Sequence, residues 1–505
     1  MFAVYFASDR SSSGKSTVTL AFSMALKDMG YSLSAYKAGP DFIDTAILSK
    51  ALKSEIPVKN LDPFLIPHKH LKKWFFSGNE TAGGRDRDVL KSKEYENNCK
   101  KKAFIVESAM GLYDGNSYII AKEFKLPVVL VMDCKRISST MASLVYGLKN
   151  YKKGVNVCGV ILNNISSKRH YEIISEEIRV NIPDIKVFGW ILKDEDVFSI
   201  KERHLGLTVH GDESGNGKKS FKKIVSGITE GVFKNVDFNI LVKTLKENST
   251  QFNKLFQKNT ESKKNLDVSV LDEPKKTNNR IKNKIKSKIA VALDKAFFFY
   301  YNFNLEILKS FGAEIVFFSP LRDKSLPNGT RAIYIGGGYP EIYAGALAEN
   351  VSVRKEIYEF FKNNGIIYAE CGGLMYLCRK IIYKKQSFAA TGIFPFDASM
   401  DIGRLSLGYR TVRFKEKTFL GEAGLTVNGH EFHYSTLLND DGLVVKNNKY
   451  PENVKNIFEY ESASAPGIFK PEGYNVLNAI GSYIHLSFYS NKLPAKNIVA
   501  GSVNF

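Results

Sequence analysis

At 505 residues with 44% hydrophobic content, the chain is too long for one compact domain and apolar enough to bury substantial cores. No apolar run approaches the roughly 18–20 residues of a membrane span, which leaves a membrane out of the reading. The formal charge of +20 invites a nucleic-acid reading, but Lys and Asn are spread throughout and the densest basic stretch, Lys275 to Lys288, reads as a linker. A small polyanionic substrate suits the charge without nucleic acid.

The apolar stretch Met1 to Ala7 is short, lacks a basic flank and reads as a first strand rather than a signal peptide. It leads into Ser8-Asp9-Arg10-Ser11-Ser12-Ser13-Gly14-Lys15-Ser16-Thr17 and then an amphipathic helix to about Met29. Backbone N–H groups of such a loop cradle phosphates, Lys15 neutralises them and the Ser16 hydroxyl reaches Mg²⁺. Asp9 stands where the usual pattern has a glycine, so a serine-rich helix cap is the alternative. A second strand, Tyr31 to Tyr36, ends in Lys37-Ala38-Gly39-Pro40-Asp41-Phe42-Ile43-Asp44. Carboxylates at such a strand end suit Mg²⁺ or substrate, against the alternative of a solvated turn. Asn60-Leu61-Asp62-Pro63 reads only as a polar turn, and residues 78–102 as a polar surface insertion. Ala103 to Glu107 is a buried strand ending in an acid, a Mg²⁺ candidate. Strands at Pro127 to Met132, Val155 to Leu162 and Val187 to Leu192, with helical stretches between, predict a doubly wound parallel sheet.

From about Thr208 the apolar periodicity weakens, and Glu247 to Lys288 has the composition of a mobile linker. A second sheet starts at Ile289 to Leu293 and continues through Glu314 to Phe318 and Ala332 to Ile335, which ends in Gly336-Gly337-Gly338-Tyr339-Pro340-Glu341. Glycines there let N–H groups face a developing oxyanion. The run Ile366-Ile367-Tyr368-Ala369-Glu370-Cys371-Gly372-Gly373 is a strand delivering a thiol to a sharp turn above a helix N-terminus. The helix end would lower the thiol pKa and make Cys371 a nucleophile; an inert buried cysteine is the alternative. Its base would come from His430, His433 or His485, of which His485 follows an apolar strand near the C-terminus. No acid stands two residues beyond it, where Ser487 is found, so a third member is not evident. The five cysteines show no metal spacing, and a reducing cytoplasm is expected.

Together these pieces resemble the cobyrinic acid a,c-diamide synthase family of cobalamin biosynthesis. The motifs are Lys37 to Asp44, Asn60 to Pro63, Met110-Gly-Leu-Tyr-Asp-Gly115, Arg203-His-Leu-Gly-Leu207, Gly336 to Glu341, Glu370 to Gly373, Leu407-Gly-Tyr-Arg410, Gly429-His-Glu-Phe-His-Tyr-Ser435 and His485-Leu-Ser-Phe-Tyr-Ser490. The resemblance implies an α/β protein of two doubly wound domains. Residues 1–207 would be a P-loop ATP-binding amidoligase domain, 208–288 a helical extension and Lys/Asn-rich linker, and 289–505 a class I glutamine amidotransferase domain. It implies Cys371 as nucleophile and His485 as base, with the oxyanion held at Gly337, Gly338 and Gly372. It implies MgATP on Gly14, Lys15, Ser16 and Thr17, the metal near Ser16, Asp41 and Glu107, and substrate or metal contacts from Lys37, Asp41, Asp44, Asn60 and Asp62. ATP, glutamine and a corrinoid or related tetrapyrrole are the expected partners, and a homodimer is left open. Hydrogenobyrinate or nickel-sirohydrochlorin is the alternative macrocycle, and a non-catalytic P-loop ATPase the more distant reading. Ser8, Ser12 and Ser108 stand where the family usually has glycines.

Overall fold

In a computed structural model, residues 1–52, 58–77, 101–193, 215–264, 287–445 and 450–503 are described. Residues 78–100 of the insertion expected at 78–102, the Arg203 to Leu207 motif and the basic stretch up to Lys286 lie outside them, whereas Lys102 opens a strand. The chain forms two compact units, one from residues up to Pro63 and from His68 to Lys264, the other from Phe64–Pro67 and from Ser287 onward.

The first unit is a seven-stranded parallel sheet: β1 (Phe2–Ala7), β2 (Ser32–Ala38), β3 (Lys59–Leu61), β4 (Lys102–Ser108), β5 (Pro127–Asp133), β6 (Asn156–Ile165) and β7 (Lys186–Leu192), in the order β3-β2-β4-β1-β5-β6-β7. Its central strands are runs of apolar residues because both faces are covered, as in doubly wound sheets. The order reverses at β1, and the crevice at such a reversal is where ligands bind. Register sets Asn60 beside Lys37, Lys37 beside Glu107 and Glu107 beside Phe6, in one row near the C-terminal ends of the strands. Asn60 and Leu61 therefore belong to a buried edge strand, not to the polar turn their composition suggested.

The linker expected from Glu247 is corrected as far as Lys264, beyond which residues 265–286 lie outside the described ones. Helices at Gly215–Phe233, Phe238–Asn248 and Thr250–Lys264 pack on this unit, and Val225, Ile228, Val232, Leu241 and Leu245 enter its core. Ser249 Oγ accepts the Ala3 N–H at 3.0 Å, and Phe252 is fully buried edge-on to Phe104 and Phe75. The third helix is polar in composition but carries its few large apolar groups at helical spacing, which suffices to dock it.

The second unit has a ten-stranded mixed sheet. Five strands are parallel, in the order Ala313–Phe318, Ser287–Ala292, Ala332–Ile335, Ile366–Glu370, Ala479–Ser482. The sheet continues antiparallel through Ala465–Val476, Lys455–Ser462, Ser406–Phe414, Thr426–His433 and Ile484–Leu486. Only Tyr483 separates the mid-sheet strand Ala479–Ser482 from the edge strand Ile484–Leu486, so the antiparallel half curls until its far edge returns to the parallel half. Phe64–Pro67 packs in this unit, where Phe64 lies 4.8 Å from the Tyr409 ring and Leu65 O accepts the Ser487 hydroxyl.

Phe252→Ala tests the corrected boundary. Removing a fully buried ring should destabilise the first unit by about 3–5 kcal/mol, seen as a shifted urea transition, whereas a linker residue would change nothing.

Candidate active sites

The first unit gathers its polar groups at the row that register creates. Gly14, with φ +96°, ends the loop from β1 and starts the helix α1 (Lys15–Asp28). A Cβ on Gly14 would strike the Asn163 amide, whose Nδ2 donates to Ser13 O at 2.9 Å. Ser12 takes φ +58°, the left-handed conformation that glycine adopts at no steric cost. Ser8 Oγ accepts the Arg10 N–H and the Lys15 ammonium, and Ser108 Oγ donates to Met110 O at 2.7 Å. Ser8 and Ser108 thus make local hydrogen bonds at glycine positions, whereas Ser12 adopts the glycine-like backbone itself. The Met110 to Gly115 segment rests on the loop through the Leu112 N–H donating to Ser8 O at 2.7 Å.

Lys37 is almost completely buried, with its ammonium 2.7 Å from Glu107 Oε1, 3.9 Å from Asp41 Oδ2 and hydrogen-bonded to Asp44 Oδ2. Burial opposes that charge, but Asp44, Glu107 and Asp41 outweigh it and hold the pKa above the ordinary lysine value. The Ser16 hydroxyl lies 2.9 Å from Asp44 Oδ2 and 2.7 Å from Glu107 Oε1. Asp44, rather than the expected Asp41, therefore joins Ser16 and Glu107. Asp41 Oδ1 instead accepts the N–H groups of Ile43 and Asp44, capping α2 (Ile43–Leu52). Burial, with Asp44 beside it, raises the Asp41 pKa, whereas the Lys37 charge lowers that of Asp44 against its burial. Lys15 donates back to Arg10 O at 2.8 Å, and burial lowers its pKa to about 8. Thr17 lies half-buried one residue beyond Ser16. Asn60 Nδ2 donates to Gly39 O and Asp41 O at 2.9 and 2.8 Å, so its amide fixes the Gly39 to Asp41 loop. Asp62 is fully buried just past β3. The oxygens of Ser16, Asp44 and Glu107 are hard donors of the kind Mg²⁺ prefers, and the residues fit that ion.

In the second unit Cys371 ends the strand Ile366–Glu370 with φ +50° and ψ −107°, outside the ordinary helix and strand regions, and caps the helix Gly372–Leu377. Its N–H donates to Ser482 O at 2.7 Å, and its Sγ–H to Phe432 O at 3.6 Å. A Cβ placed on Gly337 would stand 3.0 Å from His485 Nε2, 2.7 Å from its Cε1 and 3.3 Å from Cys371 Cβ, so only glycine fits beside both Cys371 and the imidazole. One placed on Gly372 would stand 3.1 Å from the Gly338 nitrogen. The structure thus brings Gly337, Gly338, Gly372, Cys371 and His485 to one point.

The environment of the thiol departs from the sequence expectation. Burial pushes the Cys371 pKa well above the ordinary thiol range, and Glu341 adds to that against the Gly372 N–H. The following helix is only six residues long, too weak a dipole to reverse this. Of the other candidate bases, His430 is the register partner of His485, and burial with the nearby His485 and Arg410 lowers its pKa to about 3. His433 has its nitrogens 2.8 Å from Glu431 Oε1 and 2.8 Å from Ser435 O, and its ring is stacked on Tyr483. Arg410 clamps the same Glu431 at 2.6 Å, and Glu431 is held at a pKa of about 2 by His433 and Arg410 against its burial. The sequence reading missed Glu370, whose Oε2 lies 3.3 Å from His485 Nδ1. An acid closing an otherwise apolar buried strand needs a buried partner, and that signal was available.

Comparison with known proteins gives the same division. Residues 4–207 match the CobQ/CobB/MinD/ParA nucleotide binding domain, and 288–493 the CobB/CobQ-like glutamine amidotransferase domain. The chain is 33% identical to a cobyrinate a,c-diamide synthase of Caldanaerobacter subterraneus subsp. tengcongensis, over 98% of this chain and 96% of that one. It is 32% identical to those of Streptococcus sanguinis, over 95% and 94%, and Picrophilus torridus, over 98% and 97%. The chain belongs to the cobyrinate a,c-diamide synthase family. The glycine-poor loop and Lys37 cluster thus lie in the nucleotide-binding domain of a cobyrinate a,c-diamide synthase family member, and the Cys371 elbow in its amidotransferase domain.

The raised thiol pKa has a direct readout. A thiol whose pKa burial holds above the ordinary range should react with iodoacetamide at pH 7 at least about tenfold more slowly than free cysteine. The rate should keep rising above about pH 9, measured by mass spectrometry against a Cys371→Ser control; a fast, pH-independent rate from pH 6 to 8 would contradict it.

Proposed function

We propose that the chain catalyses ATP-dependent amidation of the a and c carboxylates of cobyrinate, with glutamine or ammonia as nitrogen donor. The observation that carries this reading is the meeting of Cys371, His485 Nε2 and Gly337 at a strand–helix elbow, in a chain whose other unit ends its central strands in a Gly-Lys-Ser loop and a Lys37–Glu107 pair.

A carboxylate at neutral pH resists amines until it carries a leaving group, which the γ-phosphoryl of ATP supplies. Lys15 and the amides of the loop to Ser16 and Thr17 hold the phosphates. Ser16, Asp44 and Glu107 would hold Mg²⁺, with Asp41 at the cluster's edge; the ion, when bound, neutralises phosphate charge. Lys37 faces the Asp44 and Glu107 carboxylates from inside the sheet. In the other unit His485 takes the Cys371 proton as sulfur attacks the glutamine side-chain amide. The C–N bond breaks, ammonia leaves with that proton and water hydrolyses the thioester. The Gly337–Gly338 and Gly372 amides face the oxyanion. Ammonia then displaces phosphate from the acyl phosphate.

The setting is the cytoplasm, where ATP and glutamine are made available, and Cys134, Cys158, Cys371 and Cys378 are free thiols. Among the described residues no helix is long and apolar enough to cross a membrane.

The test is ATP- and glutamine-dependent turnover of cobyrinic acid followed by mass spectrometry, which should show two successive carboxyl-to-amide conversions. Glutaminase activity without amidation of this macrocycle would redirect the assignment to hydrogenobyrinate or nickel-sirohydrochlorin. Cys371→Ser should abolish glutamine-dependent amidation and leave ammonia-dependent amidation within about twofold, since only the thioester route needs the sulfur.

A further inference from the structure

Glu370 is the last residue of its strand and is 1% exposed, as is His485. Three donors hold its carboxylate. Tyr368 OH donates to Oε1 at 2.6 Å, the Leu486 N–H to Oε1 at 3.0 Å and Tyr334 OH to Oε2 at 2.8 Å. Burial and the Glu370 charge raise both tyrosine pKa values well above 10, so these hydroxyls stay protonated as donors. The Leu486 amide belongs to the residue after His485, so the same carboxylate fixes both the strand that carries the imidazole and the ring. Oε2 lies 3.3 Å from Nδ1, and Nε2 on the other side of the ring lies by Gly337, which also adjoins Cys371. Across the strand pair the register partner of His485 is His430, whose pKa burial lowers to about 3, and Tyr301 stands edge-on at 6.4 Å. Ser487, two residues past the base, spends its hydroxyl on Leu65 O at 2.6 Å.

We propose that Glu370, the residue immediately before the nucleophile, is the positioning residue of the Cys371–His485 pair. By accepting from Nδ1–H it holds the tautomer whose Nε2 lone pair faces the thiol, and it balances the imidazolium formed when that thiol gives up its proton. This rests on the Cys–His reading above. The arrangement folds the orienting acid and the nucleophile into adjacent residues of one elbow.

Glu370→Gln keeps the shape but presents an amide that can donate to Nδ1, which favours the wrong tautomer. It should lower kcat for glutamine-dependent amidation by about 10²–10⁴-fold, with KM for glutamine and ammonia-dependent turnover unchanged. Glu370→Asp, which keeps the charge, should recover at least about tenfold of that loss. In the unsubstituted enzyme, ¹⁵N-histidine NMR, with His485→Asn for assignment, should show neutral His485 protonated on Nδ1. Glutamine-dependent activity of Glu370→Gln within about threefold of the parent would overturn the proposal. So would an Nε2–H tautomer in the unsubstituted enzyme, a result that holds even if Glu370→Gln does not fold. Should Cys371→Ser retain glutamine-dependent turnover, the Cys–His reading itself falls and the proposal with it. If Cys371→Ser is inactive with glutamine while Glu370→Gln is not, only the positioning role is lost.

Discussion

Each unit buries a carboxylate at the carboxyl end of a central parallel strand, and the chemistry of each site follows from how that charge is compensated. Taking a carboxylate out of water costs several kcal/mol unless donors or a cation replace the lost hydration. Glu107 is compensated by the Lys37 ammonium and the Ser16 hydroxyl, Glu370 by two tyrosines, a backbone amide and the nearby Nδ1 of His485. In the first case the compensators are an ammonium and a hydroxyl that Glu107 shares with Asp44. In the second they are rigid and satisfied within one sheet. The first solution suits a site that must accept charge from outside, the second a site whose acid must stay where it is.

The elbow depends on this rigidity. Cys371 sits at a positive φ, which for a residue with a side chain costs of order 1–3 kcal/mol and persists only when the surroundings over-determine it. The bond from its N–H to Ser482 O, and that of Ser482 Oγ to Glu472 Oε2 at 2.6 Å, tie the elbow to the neighbouring strands. Tyr483 then carries the chain from mid-sheet to the sheet's far edge, and its N–H donates to Glu472 Oε1 at 2.8 Å. One buried acid thus anchors the crossing that returns His485 to the cysteine. Burial raises its pKa to about 7 against those hydrogen bonds.

Much of this was legible in the sequence, because buried parallel strands write themselves as apolar runs. Phe2–Ala7, Lys102–Ser108 and Ile366–Glu370 were readable from residue type, and the loops that follow them from glycine, lysine and cysteine at the strand ends. What escaped has physical causes. Lys59–Leu61 is three residues long, too short for periodicity to register. The helix Thr250–Lys264 docks through Phe252 and a few companions, a signal that averaging over its Lys and Asn content erases. Asp41 and Asp44 look equivalent in the chain, and only the helix start decides that Asp41 caps while Asp44 faces Ser16. The thiol's protonation was misjudged because the local motif shows a helix end but not the depth at which it is buried.

The curl of the second sheet explains why histidines could be ranked only partly from sequence. His430 and His485 are register partners, so both are delivered to the same neighbourhood, and proximity alone does not choose between them. Chemistry does. His430 is wedged beside Tyr409, desolvated and close to Arg410, and its depressed pKa leaves it a poor proton acceptor. His485 has a carboxylate behind Nδ1 and the thiol's neighbourhood before Nε2, the asymmetry a general base requires. A strand pair that brings two imidazoles together thus separates their roles through the charges at their backs.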